Sequence, residues 1–148
     1  MTPCQGYLRH PAIGGDHVVF ITEDDLWLVP AEGGHAFRLT ATAGAASHPR
    51  LSPDGRQVAF TATQDGPSEV YVMPAEGGAA RRLTFQAARC RVVGWAPGGR
   101  EILYASAAQQ PPGFGTRLFA VSADGGLPGL LPYGPASAIA HGPGGYGP

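Results

Sequence analysis

Lysine is absent from the 148 residues, and all ten basic side chains are arginine. With a formal net charge of -1 and only 14% charged residues, the chain has no basic field of the kind that nucleic acid or an anionic membrane surface requires. Cysteine is almost absent: Cys4 and Cys90 lie far apart with no C-x-x-C spacing, which argues against a disulfide framework and reads as two unpaired thiols. No stretch reaches the roughly 18 apolar residues of a membrane span, and the N-terminus lacks the charged region and apolar run of a secretory signal. The expectation is a soluble, cytoplasmic protein with neither nucleic acid nor membrane among its partners. The histidines His10, His17, His35, His48 and His141 show no H-x-x-x-H or Cys/His ligand spacing, so neither a metal nor a cofactor is expected. Also missing is a G-x-S-x-G nucleophile elbow; Ser47, Ser52, Ser68, Ser106, Ser122 and Ser137 fall in turn or strand-end contexts.

What the chain has is glycine and proline, 23 and 15 of them, a composition that suggests low complexity unless it repeats. It repeats. LWLVPAEGG at 26–34 returns as VYVMPAEGG at 70–78, about 44 residues on, within the range of four-stranded propeller blades. RLT at 38–40 returns at 82–84, and LFAVSADGG at 118–126 is a weaker third copy. A second landmark, LSPDG at 51–55, recurs as WAPGG at 95–99 and faintly as HGPGG at 141–145.

The middle copy reads as four strands. An extended run 48–52 ends at Pro53-Asp54-Gly55, which is hairpin chemistry. Strands follow at 57–61 and 69–73, rich in β-branched and aromatic residues, and a fourth, outer strand at 80–84. Apolar residues on both faces of 69–73 suit a sheet sandwiched between neighbours. The first copy follows the same plan through 10–13, 18–21, 25–29 and 36–40. The third carries strands at 101–105 and 117–121, with an insertion at 109–115 that lengthens one loop. The expected fold is all-β: a partial β-propeller of about three four-stranded antiparallel PD40-type blades forming a single incomplete domain. Blade 1 covers about 8–46, blade 2 about 47–90 and blade 3 about 91–136, and 137–148 is the start of an uncompleted fourth.

The string SPDGRQVAF at 52–60, followed by VYVMPAEGGAARRLT at 70–84, resembles the PD40 repeat of tricorn proteases, TolB-like proteins and some prolyl-oligopeptidase relatives. The longer pattern of GYLRHP at 6–11, EDDLW at 23–27, SHPRLSPDG at 47–55 and VVGW at 92–95 resembles specifically the start of a tricorn protease. That resemblance implies a parent family of large cytosolic serine peptidases that trim oligopeptides, with N-terminal propellers that gate and channel peptides rather than perform the chemistry. None of the family's catalytic residues can be carried onto these 148 positions. The expectation is therefore a non-catalytic propeller fragment, arising from a truncated gene product, a frameshift or a gene fragment, whose partners are other propeller blades, a second copy of itself or oligopeptides. The alternative is a stand-alone PD40/TolB-like protein-interaction module; the periplasmic version of it is disfavoured by the lack of a signal sequence.

Four features invite a sharper chemical reading. Ser47 and His48 with Asp54 have the residue types of a triad, but the repeat explains them better, because His10-Pro11 begins the first copy as His48-Pro49 begins the second. Glu23-Asp24-Asp25 is a candidate cation or peptide-amine site, for which a solvated loop guarding a strand end is the simpler reading. Arg81-Arg82 with Arg89 and Arg91 form a modest basic stretch that reads as solvated outer-strand residues. Gly33-Gly34 and Gly77-Gly78 precede no helix or Lys-Ser/Thr pair and are turn glycines, not phosphate loops.

Overall fold

The computed structural model describes residues 7–41 and 44–140. Among them are three four-stranded sheets and no helix. The first contains β1 (Arg9–Gly14), β2 (His17–Thr22), β3 (Asp25–Pro30) and β4 (Phe37–Arg38). The second contains β5 (Ala46–Leu51), β6 (Gln57–Ala62), β7 (Glu69–Pro74) and β8 (Arg81–Arg82); the third β9 (Cys90–Trp95), β10 (Glu101–Ser106), β11 (Arg117–Ser122) and β12 (Gly129–Leu130). Each is an antiparallel meander in chain order, as short tight turns dictate. The turn at 53–56 is typical. Ser52 donates its hydroxyl to Asp54 at 2.6 Å, and Asp54 accepts the Arg56 amide at 3.0 Å. Gly55 takes φ +73° where a side chain would be strained.

The sheets stack like leaves of an opened book. β1 packs on β5 and β5 on β9, so the first strands converge, with no comparable packing among β4, β8 and β12. Gly14 permits the close approach of the first two sheets: a Cβ there would lie 2.5 Å from the Leu51 Cβ.

Strand alternation gives every sheet a forward face toward the next sheet and a rear face toward the preceding one. Val19, Ile21, Leu26 and Leu28 on the forward face of the first sheet pack against Val58, Phe60, Tyr71 and Met73 on the rear face of the second. Ala59, Val70 and Val72 on the second sheet pack in the same way against Ile102, Tyr104, Phe119 and Val121 on the third. The register repeats too: Phe60 opposes Tyr71 and Tyr104 opposes Phe119, with ring centroids 5.8 and 5.5 Å apart. The middle sheet is thus covered on both sides, which explains why β6 and β7 are apolar on both faces.

The partial propeller of about three blades is the observed architecture, and the sheets span 9–38, 46–82 and 90–130. Two details differ from the sequence reading. The fourth strands are only two residues long: Leu39 and Leu83 still donate their amides to the Leu26 and Val70 carbonyls, but the Leu26 and Val70 amides are taken by the Thr40 and Thr84 hydroxyls instead of by backbone. Ala46 and Cys90, expected at the ends of the first and second repeats, instead open β5 and β9. There Ala46 donates its amide to the Asp24 carbonyl and Cys90 to the Ser68 carbonyl, both at 2.9 Å. The faint landmark at 141–145 and the end of the expected fourth blade lie outside the described residues.

Candidate functional site

The converging edge gathers the first-strand side chains. In β1 and β5 the ladder carries a bulge, between Arg9 and Ala12 and between Ser47 and Arg50. The bulged residues are His10 and His48, each followed by proline, with φ +51° and +49°. Left-handed backbone before proline is disfavoured, and its recurrence at equivalent positions shows the surrounding sheets imposing it twice. The bulges turn the two imidazoles toward each other, with ring centroids 4.3 Å apart. In β9 the bulge persists but carries valine.

Three guanidiniums share this edge. Arg9 pairs with Asp24 at 2.8 Å, Arg50 donates to the Pro49 carbonyl at 2.8 Å, and Arg91 donates to the Ser137 carbonyl. The Trp95 indole donates to the Arg50 carbonyl at 3.0 Å and ties β9 to β5. Beside them, between the second and third sheets, opens a cleft of about 980 Å3 bordered by Ser47, His48, Ser68, Arg89, Arg91 and Ser137. The lining is mostly apolar, with Pro67, Ala87 and Ala105 beside these polar groups; the hydroxyls, the imidazole and the guanidiniums among it suit carboxylates and peptide carbonyls.

Burial, His10, Arg91 and Arg50 together push the His48 imidazole down to about 4. Burial, Arg9 and Arg50 lower His10, and burial with the Arg91 charge lowers Arg50. Both imidazoles are neutral at pH 7. Because the folded pKa of His48 lies below its unfolded value of 6.5, the unfolded chain binds more protons between pH 6.5 and 4. Stability is therefore full above 6.5 and declines as the pH falls through that window. The expected result is a lower urea midpoint at pH 4.5 than at pH 7, with part of the difference removed in His48→Gln; an equal drop in that variant assigns the acid sensitivity elsewhere.

The triad candidates do not assemble. Asp54 stays in its turn, bonded to Ser52 and Arg56, whereas His48 faces His10. The acidic cluster divides: Glu23 and Asp24 form an exposed turn, but Asp25 is buried, correcting the solvated-loop reading. Asp25 accepts from the Thr40 hydroxyl at 2.9 Å and pairs with Arg38. Glu69, 1% exposed, does the same with Thr84 and Arg82 and also accepts the Ala87 amide at 2.9 Å. Arg82 is thus no solvated outer-strand residue. Each threonine in turn accepts the next third-strand amide, Leu26 or Val70, at 2.9 Å. The repeated RLT string is a clamp joining fourth strand to third. The third sheet has no such clamp, since Arg117 stands at the acidic position and donates to the Tyr133 carbonyl. Cys90, next to Glu69, is buried and its thiol is pushed up to about 11, chiefly by desolvation, so it is poorly nucleophilic.

Residues 5–146 match the family described as the tricorn protease N-terminal beta propeller domain. Tricorn protease homolog 1 of Streptomyces coelicolor is 46% identical over 137 residues, covering 93% of this chain and 13% of that protein. The tricorn protease of Thermoplasma acidophilum is 34% identical over 53 residues, 36% of this chain and 5% of that protein. Among solved structures, the crystal structure of the tricorn protease superposes with a TM-score of 0.83 at 28% identity, covering 94% of this chain and 14% of that one. TolB from Acinetobacter baumannii, at 19% identity and a TM-score of 0.71 over 86% of this chain and 33% of its own, shares the fold. The chain spans about an eighth of the Streptomyces relative, and it belongs to the tricorn protease family, to the part formed by the N-terminal β-propeller domain.

Proposed function

We propose that this chain is a non-catalytic propeller arc that contacts oligopeptides along its converging first strands and so gates or guides them for a tricorn-type serine peptidase. The observation that carries this reading is the grouping of Arg9, His10, His48, Arg50 and Arg91 on one edge beside the cleft between the second and third sheets. Guanidiniums offer planar, paired donors to a peptide's carboxylates, and neutral imidazoles and hydroxyls exchange hydrogen bonds with its backbone without fixing its sequence. A passage surface needs that combination of weak, adaptable contacts.

The role assigns peptide-bond chemistry to other parts of such an enzyme. Incubated with fluorogenic oligopeptides, the purified chain is expected to release no fluorophore above the rate of buffer. Turnover that disappears when a single serine, Ser47 above all, is replaced by alanine would overturn the non-catalytic reading.

A further inference from the structure

The sheets diverge toward their fourth strands, which leaves a wedge at the outer edge between neighbours. Between the first and second sheets that wedge is a groove: two adjoining pockets of about 420 and 360 Å3 share His17, Leu28, Ala75 and Glu76. Phe37 forms one wall of it. The groove opens at the 75–77 end of the second sheet, whereas the cleft beside His48 opens at the 63–68 end. The two sites are separate.

The same place exists between the second and third sheets, and there the chain fills it. Phe37 opposes Leu28 across the third and fourth strands, as Arg81 opposes Val72, so the register makes Phe37 and Arg81 equivalent. The turn that Phe37 faces, Pro74-Ala75-Glu76-Gly77, has its counterpart in Ser122-Ala123-Asp124-Gly125. Arg81 reaches across to that counterpart and donates its guanidinium to the Ala123 carbonyl. Phe37 has no donor to offer Ala75, and its ring is 62% exposed. Glu76 enters no ion pair among the described residues, and Arg38, which also borders the groove, is committed to Asp25.

We propose that this groove takes an arginine side chain from a partner polypeptide, in the manner in which Arg81 fills the equivalent place. The guanidinium donates to the Ala75 carbonyl and pairs with Glu76, while its methylenes lie along Leu28 and the Phe37 ring. The chain already makes contacts of both kinds: Arg81 on a turn carbonyl, and Arg82 with its guanidinium carbon 4.5 Å from the centre of the Phe85 ring. Arginine is favoured over lysine, because a planar guanidinium donates to a carbonyl and a carboxylate together and still stacks on an aromatic face. The inference does not depend on peptide contact at the converging edge.

A chemical-shift titration of the isotope-labelled full chain with acetyl-Gly-Arg-Gly-amide, and with the same peptide carrying lysine or citrulline in place of arginine, tests it. The arginine peptide is expected to shift the amides of Leu28, Phe37 and Ala75 to Gly77, saturating at millimolar concentration. The lysine and citrulline peptides should bind about fivefold or more weakly, lacking the fork or the charge. Phe37→Arg supplies the missing side chain from within, so these shifts should vanish while the rest of the spectrum stays folded. Arg81→Phe empties the second place, so a matching set of shifts should appear at Ala123 to Gly125. Absence of shifts in the groove, equal binding of the citrulline peptide, or binding that persists in Phe37→Arg overturns the proposal.

Discussion

Glu69→Ala is expected to destabilise the chain by about 3–5 kcal/mol, the usual cost of breaking a buried ion pair by removing one partner. The reason is what stays behind. The Thr84 hydroxyl, the Ala87 amide and the Arg82 guanidinium all donate to this carboxylate, and three donors lose their acceptor in a site where Glu69 is 1% exposed. Glu69→Gln keeps an acceptor oxygen and should cost less. Asp25→Ala, at the equivalent position of the first sheet, should also cost less, because the Arg38 side chain is 52% exposed and water can take over its solvation. Urea unfolding with unchanged slope measures all three; a Glu69→Ala loss below about 1 kcal/mol means that the clamp contributes little.

A loss of similar size is expected from truncating an aromatic residue between sheets. Phe119→Ala removes a ring stacked on Tyr104 and buried against the second sheet; Phe60→Ala does the same between the first and second sheets. Each leaves a cavity that rigid strand neighbours cannot fill, at a cost of about 3–5 kcal/mol. Phe85→Ala is the control: its ring is 74% exposed and lies under Arg82 at 4.5 Å, so the change should stay within about 1 kcal/mol. Comparable losses from Phe85→Ala and Phe119→Ala would contradict the stacking of sheets as the main source of stability.

The blades were legible because their determinants are local. LWLVPAEGG and VYVMPAEGG encode a third strand and its turn within nine residues, and SPDG encodes the hairpin between the first and second strands of the middle sheet. The clamp was not legible as chemistry, although its string was seen. Asp25 and Thr40, like Glu69 and Thr84, lie about 15 residues apart and meet only when the third and fourth strands pair. A signal existed: an acid opens the third strand in each copy that later has RLT, and the copy with Arg117 lacks both. The contact between His10 and His48 was beyond reach, because it depends on two left-handed bulges and on how two sheets stack. The repeat did show the two histidines to be equivalent, each followed by proline at the same place in its copy.

Chemical-shift mapping of the isotope-labelled chain with a mixture of short oligopeptides tests the peptide-contact account most directly. The account predicts that amide shifts concentrate on β1, β5 and β9, around Arg9, His48, Arg50 and Arg91, and that Arg50→Gln with Arg91→Gln weakens them at least several-fold. Shifts confined to the outer edge around Phe37 and Arg81, or none at millimolar peptide, would contradict it.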